Sequence, residues 1–451
     1  MTIYLDISTS YAWRRNPVGV VRVEREFAKN LRNQLPGMRF CRFDANTSMR
    51  ILMRDSEVDL VLGDSWCAQT VEPERVSART ELASRLTAAA RHVLPRALFQ
   101  GAKMLLGGLG HETTDPKGRA QASGANVPAA PPGLSVGDVF VSVGADWDHL
   151  PPEQVRAIKQ ETGCKVVLAC YDTIVVDFPE YSISDEFASR LREHLLGLGT
   201  NADLVVTISE STKRDVLRLW DKERTDSPVC AVSAVPLASA LPPVGGADPS
   251  RSARLEEFRR GGPYVIYVST LEARKNHRLL FNLWREFHAA FRGEVPRLLL
   301  VGARGWGVDD LLAELARSQA GRDGYIQVWS DVDDELLQSL YAGCEFGVFP
   351  SFYEGWGLAA AELLAFGKTC VVSTGSSLQE ATQNLCPSYH PCDHLGWRDE
   401  ILRLSRDQAY RLQHERAIAS SFRPRTWADC SAEFAAKLRA VADESALALR
   451  G

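Results

Sequence analysis

No stretch of this 451-residue chain reaches the roughly 18 consecutive apolar residues that a membrane-crossing helix needs, so no helical span is expected. Its first residues lack a basic stretch followed by an apolar one. A secretory leader is therefore not expected, and the chain reads as cytoplasmic. Ten cysteines are present, Cys41, Cys170, Cys344 and Cys430 among them, but they form no Cys-x-x-Cys pair and sit mostly in apolar segments. They read as reduced core thiols, which argues against a disulfide frame or a zinc site. The nine histidines show no metal-ligand spacing. An excess of positive charge is missing too: 52 Lys and Arg face 57 Asp and Glu, for a formal charge of -5, so no nucleic-acid partner is expected. What is left is a globular composition, 45% hydrophobic and 24% charged, in a chain too long for one ordinary core.

Continuous apolar runs alternate with helical stretches along most of the sequence. Residues 3–7, 59–62, 139–143, 166–170 and 204–208 read as buried strands and 19–34 as a helix. A Pro/Gly-rich interval at 241–250 reads as a linker. The alternation then restarts with strands at 265–268, 298–301, 326–329, 346–349 and 370–372, helices at 276–291, 333–342 and 358–366, and Gly367 at a helix end. Strands without polar alternation, separated by helices, imply parallel sheets covered on both faces. The fold class is α/β, with two doubly wound Rossmann-like domains, 1–240 and 251–425, facing across a cleft. Ligands are expected beyond the carboxyl ends of the strands. Residues 426–451 add a terminal helix. One segment, 75–133, breaks the pattern. Its first part, 75–103, sets Arg75, Arg79, Arg85, Arg91, Arg96 and Lys103 against Glu81, with leucines spaced helically. Two readings stand: a helix lying on an anionic membrane surface, or a surface helix packed on the N-terminal domain. Residues 107–133, rich in Gly, Ala and Pro, read as a loop.

The chemistry concentrates in two cassettes. In Phe349-Pro-Ser-Phe-Tyr-Glu-Gly-Trp-Gly-Leu-Ala-Ala-Ala-Glu362 a buried strand empties through Gly355 and Gly357 into a helix from Leu358, whose free N–H groups and dipole suit an anion. Glu354 precedes the helix and Glu362 stands on its second turn. One is placed to meet a sugar and the other a ribose, with a diphosphate on the amides between them. The plain alternative is a common strand-to-helix loop followed by a solvated glutamate. The second cassette, Tyr267-Val-Ser-Thr-Leu-Glu-Ala-Arg-Lys-Asn276, delivers Arg274 and Lys275 to a strand end, where cations suit a diphosphate. Of two Asp-x-Asp runs, Asp331-Val-Asp333 reads as a helix N-cap and Asp146-Trp-Asp148 as a polar loop, so no metal site is expected. Ser209 reads as an N-cap that also lines the cleft. Trp329 reads as a core aromatic, and residues 376–380 as a helix start facing the cleft.

Together these cassettes resemble the retaining glycosyltransferases of family 4, which use nucleotide sugars on the two-Rossmann GT-B fold, and the likeness spans most of the chain. Glu354 and Glu362 match that family's two acidic positions, the run from Pro350 to Leu358 its signature loop, and Lys275 its phosphate-binding lysine. Thr270-Leu-Glu-Ala-Arg-Lys-Asn276, Tyr171-Asp-Thr-Ile174 and Phe178-Pro-Glu180 most resemble mannosyl- and rhamnosyltransferases of bacterial O-antigen and exopolysaccharide assembly. The resemblance implies a retaining, metal-independent hexosyltransferase with no cofactor. Its favoured donor is GDP-mannose, with dTDP-rhamnose, GDP-fucose and UDP-glucose as alternatives. Its acceptor is a lipid-linked or growing surface glycan, and its place is the cytoplasm or the inner face of the cytoplasmic membrane.

The resemblance also implies roles. Arg274 and Lys275 stabilise the leaving diphosphate, Glu354 holds sugar hydroxyls and Glu362 the ribose. Gly19, Thr270, Gly355, Trp356, Gly357 and Leu358 surround the donor, Ser209 lies toward the acceptor, and Arg22 either assists at the donor phosphates or binds the acceptor. The terminal helix crosses back to the N-terminal domain. Two departures stand out. Thr270 occupies a position where many members carry Arg, leaving Arg274 to supply that cation. Tyr171-Asp172 replaces a His-Asp pair, leaving Asp172 to meet the transferred sugar. These departures keep a rival from another class open, a noncatalytic nucleotide-sugar-binding assembly or regulatory subunit.

Overall fold

The computed structural model describes residues 2–14, 17, 19–63, 66, 130–223, 230–241 and 249–448. The basic 75–103 segment with its expected membrane contact, residues 107–129 of the loop and 242–248 of the linker lie outside the described residues. Two sheets organise the rest. The first contains β1 (Ile3–Asp6), β2 (Arg39–Asp44), β3 (Met49–Leu52), β4 (Val139–Ser142), β5 (Lys165–Cys170), β6 (Leu204–Thr207) and β7 (Ala231–Ala234), in the order β3-β2-β1-β4-β5-β6-β7. All its pairings are parallel except β2 with β3. The second contains β8 (Tyr264–Val268), β9 (Arg297–Val301), β10 (Ile326–Trp329), β11 (Gly347–Phe349), β12 (Cys370–Ser373) and β13 (Ser388–Tyr389), in the all-parallel order β10-β9-β8-β11-β12-β13.

Each sheet reverses its winding beside its first strand. β1 pairs with both β2 and β4, and β8 with both β9 and β11. At such a switch point the two neighbouring loops leave toward opposite faces of the sheet and open a crevice between them. The loops after β8 and β11 are the two cassettes. Strand composition follows from this architecture: β1, β4, β6 and β12 are buried at every residue, because helices cover both faces.

Helices expected at 19–34, 276–291, 333–342, 358–366 and 426–449 are found at Gly19–Gln34, His277–Ala290, Asp334–Gly343, Leu358–Ala365 and Trp427–Ala448. The last crosses back. Its Trp427 and Phe434 pack on Phe27 of the Gly19–Gln34 helix, with ring centroids 6.0 and 5.1 Å apart, and Arg439 donates to the Gln34 carbonyl at 2.8 Å.

Two readings are corrected. Residues 59–62 are the end of a helix, Asp55–Leu62, and form no strand. The Glu57 carboxylate accepts from the Arg54 N–H at 2.8 Å, and Asp55 and Asp59 both pair with Arg32 of the neighbouring helix. An apolar run this short fits either period, and the tertiary partner decides. Residues 146–148 are likewise no polar loop: they begin a short helix, Asp146–His149, and Asp146 is buried with its Oδ1 accepting from Ser142 Oγ.

Asp146 belongs to a buried acidic group at the N-terminal switch point. Burial disfavours ionised Asp6, yet Arg50, 2.9 Å away, together with His149 and the hydrogen bonds from Ser8 outweighs it and holds the carboxyl below its ordinary range. For Glu24 and Asp146 burial prevails and pushes both up to about 8. For Glu24, the folded chain therefore keeps a proton between its ordinary 4.5 and about 8 that the unfolded chain has released. Stability falls as pH rises through that window. Glu24→Gln keeps an acceptor for the Ser10 N–H and cannot ionise. Its melting temperature should gain on wild type by at least about 2 °C between pH 5 and pH 8; a difference independent of pH would show that Glu24 is ionised in the fold.

Candidate active site

The loop after β11 is held by Ser351 of its own run and by Ser376 and Ser377 of the segment expected to face the cleft, in supporting roles that sequence reasoning did not assign. Ser351 Oγ donates to Glu354 Oε1 at 2.7 Å, Ser376 Oγ accepts from the Glu354 N–H at 2.8 Å, and Ser377 Oγ donates to the carbonyls of Glu354 and Trp356, each at 2.8 Å. Asn276 sits in the left-handed region at φ 56° and ties the two cassettes together by donating to the Pro350 carbonyl at 3.1 Å. A left-handed asparagine just after a cationic pair was the signal available in the sequence.

Gly355 and Gly357 are required for different reasons. A Cβ on Gly355 would lie 2.2 Å from the Tyr171 carbonyl oxygen, across the cleft, while Gly357 has a φ of 104° and caps the Leu358–Ala365 helix. The Thr212 hydroxyl faces both the Tyr171 and Gly355 carbonyls, at 3.2 and 3.3 Å. Other contacts also bridge the cleft. Glu380 accepts from the first two N–H groups of the Glu210–Lys222 helix at 2.9 and 3.2 Å, Tyr181 stacks on Phe352 with centroids 5.4 Å apart, and Tyr353 donates to Asp215.

Charge is arranged in two groups. In the first, Lys275 Nζ donates to both Glu354 oxygens at 2.6 and 2.8 Å. Arg274 reaches Glu354 at 3.2 Å and also pairs with Glu272. Burial alone would raise the Glu354 carboxyl, but Lys275 and then Arg274 outweigh it and bring it down to about 2. Asp172 lies within the field of this group. Burial pushes it above its ordinary range against the pull of Arg274, and its Oδ1 accepts from the Ile174 N–H at 3.0 Å.

The second group surrounds Glu362 on the Leu358–Ala365 helix. Tyr341 donates to it at 3.2 Å. Arg22, from the first turn of the Gly19–Gln34 helix, lies 3.4 Å from Glu362 and 3.4 Å from Asp334. Burial lifts Glu362 to about 7 despite Arg22.

The structure thus gathers Arg274, Lys275, Glu354 and Asp172 at one place, with Gly355, Gly357 and Leu358 beside them and Glu362 one helical turn further on. Several expected site residues are placed elsewhere. Ser209 is fully buried, its Oγ accepting from the Thr212 N–H, so it caps a helix without lining the cleft. The Trp356 indole packs with N-terminal core residues, so only its backbone borders the donor side. Tyr171 points its hydroxyl at the Val143 carbonyl and takes no part in the charge group. Thr270 is exposed at the end of β8, and Gly19 opens its helix at a φ of 52°. Trp329 is a core residue, and Asp333 caps its helix by accepting from the Leu336 N–H at 2.9 Å.

Comparison with known proteins bears on the family. Residues 262–407 match the glycosyl transferases group 1 family, and both cassettes fall inside that segment. The chain is also 29% identical over 279 residues to the O-antigen chain mannosyltransferase B of Escherichia coli, a match covering 60% of this chain and 68% of the relative. The chain is a GT-B glycosyltransferase. It resembles bacterial O-antigen mannosyltransferases: it is 29% identical over 228 residues to the serotype-specific mannosyltransferase WbdA of E. coli, although that match spans 48% of this chain and only 27% of WbdA. Solved structures show the fold. Sucrose-phosphate synthase from Thermosynechococcus elongatus superposes with a TM-score of 0.59 at 17% identity over 98% of each chain. Anabaena Alr3699/HepE in complex with UDP and glucose does so with 0.52 at 14% identity, over 100% of this chain and 99% of that one. In this glycosyltransferase Gly19, Arg22, Asp172 and Ser209 lie outside the matched family segment, so structure alone places them.

Proposed function

We propose that this glycosyltransferase moves a hexose, with mannose from GDP-mannose as the favoured donor, to a lipid-linked or growing O-antigen-type glycan with retention of the anomeric configuration. The observation that carries this reading is the buried group of Lys275, Arg274 and Glu354 at the strand ends of a switch point, beside a helix start and opposite Asp172. The nucleotide-sugar donor places its diphosphate on Lys275, Arg274 and the amides at Gly357 and Leu358, its ribose at Glu362 and its sugar hydroxyls at Glu354. Asp172 approaches the sugar from the N-terminal side.

Transfer then proceeds on one face. The bond between the anomeric carbon and the phosphate oxygen breaks and its electron pair stays on the phosphate. The acceptor hydroxyl oxygen bonds the anomeric carbon, and its proton passes to the leaving phosphate. Preorganised positive charge at the departing oxygen lowers the barrier most, and Lys275, Arg274 and the helix amides fill that role without a metal. Among the described residues no helix is long and apolar enough to cross a membrane.

A thermal-shift screen against GDP, UDP, dTDP, ADP and their sugars tests the donor. A ligand bound only by the folded chain adds about 2.7 kcal/mol at a hundredfold excess over its Kd. GDP and GDP-mannose should raise the melting temperature selectively. A shift with another nucleotide replaces the donor, with dTDP-rhamnose, GDP-fucose or UDP-glucose next in line, and no shift with any of them supports a noncatalytic assembly subunit.

A further inference from the structure

The donor site as described is close to electrically neutral. Arg274 and Lys275 already face Glu272 and Glu354, and Asp172 adds a further acid nearby. An arriving diphosphate brings more negative charge into a buried place. It therefore requires a cation that is not already closely matched.

Arg22 meets that requirement. Its guanidinium is held between two carboxylates at 3.4 Å each, well beyond the roughly 2.7–2.9 Å of a strong charge-assisted bond. Lys275 holds Glu354 at 2.6 and 2.8 Å. One of Arg22's partners, Asp334, is 46% exposed and is solvated when released. The other, Glu362, keeps Tyr341 as a donor and gains the ribose hydroxyls when the nucleotide binds. Burial has already brought that carboxyl to about 7, so parting from Arg22 costs it little near neutral pH. The side chain is 12% exposed and projects from the first turn of the Gly19–Gln34 helix toward the Leu358–Ala365 helix, on whose amides the diphosphate is placed.

We infer that Arg22 is a leaving-group residue: it leaves Glu362 and Asp334 on donor binding and bonds the donor diphosphate from the N-terminal side of the cleft. Of the two roles the resemblance left open for Arg22, this assigns it to the donor. It also makes diphosphate binding pull the two sheets' domains together, because the anion is then shared by residues of both. The inference rests on the donor-site reading above.

Calorimetric titration of wild type, Arg22→Gln, Arg22→Lys and Lys275→Ala with GDP and with guanosine tests it, using the matching pair if the screen selects another base. Arg22→Gln should lose about 10- to 100-fold in GDP affinity while guanosine affinity stays within about twofold, and Arg22→Lys should recover part of the loss. Equal weakening of GDP and guanosine, or no change in either, would assign Arg22 to a structural bridge and overturn the inference. Undiminished GDP affinity in Lys275→Ala, or no GDP binding by wild type, would overturn the donor site itself.

Discussion

Gly355→Ala should slow sugar transfer by at least about 10²-fold. The added Cβ would stand 2.2 Å from the Tyr171 carbonyl oxygen and 3.3 Å from its carbon, a contact with backbone that no side-chain rotation relieves. Tyr171 follows β5 in the first sheet and Gly355 follows β11 in the second, so the clash acts between the two halves of the molecule and leaves each core intact. Relief comes by separating them. That moves Asp172 away from Arg274 and Glu354 and breaks the Thr212 contact to the Gly355 carbonyl. A displacement of about 1 Å at reacting groups is enough to cost on the order of 10²-fold in rate. Turnover measured with nucleotide sugar and acceptor should fall at least that far, GDP affinity should weaken as Arg22 is drawn away from the diphosphate, and small-angle scattering should report a larger radius. Wild-type turnover in Gly355→Ala would mean that these loops do not meet in the working enzyme.

Lys275→Ala should weaken diphosphate binding and slow transfer together, with kcat/KM falling by about 10²- to 10³-fold, the range for losing one preorganised charge contact to a leaving group. The substitution has a second consequence. Glu354 is held at about 2 by Lys275 first and Arg274 second, against burial. A carboxyl whose folded value lies below its ordinary 4.5 contributes stability above that pH and loses it as pH falls toward about 2. Without Lys275 the folded value rises, so acid unfolding of the variant should begin at higher pH than in wild type. Glu362→Ala should behave differently: its carboxyl touches Arg22 and Tyr341 and lies apart from the departing oxygen, so donor affinity should fall with a smaller effect on kcat. Unchanged donor binding and turnover in both variants would remove the site from these residues.

Much of the fold was legible because its strands are buried on both faces and its helices are amphipathic, which are properties of short local windows. The same windows hid β3, whose Arg50 is buried against Asp6, since a core arginine breaks the hydrophobic signal. They also misread 59–62, where Arg32 from another helix settles the outcome. The site divides in the same way. Glu354, Glu362, Lys275 and the two glycines could be chosen from residue type and spacing. Ser351, Ser376 and Glu272 could not, because nothing in their neighbourhoods distinguishes a serine or glutamate that supports a loop from one that faces solvent.

By itself the sequence determined the α/β class, the two parallel sheets, the two loops that carry the chemistry and the terminal helix. Each depends on periodicity or on residue types a few positions apart. Tertiary structure alone decided which charges meet: that Lys275 lies on Glu354, that Arg22 crosses to Glu362 and that Asp172 faces Arg274, with Ser209 and the Trp356 indole buried. Coulomb and burial terms depend on distance in space, and the chain brings together Arg22 and Glu362, 340 positions apart, only after both sheets have formed and closed on each other.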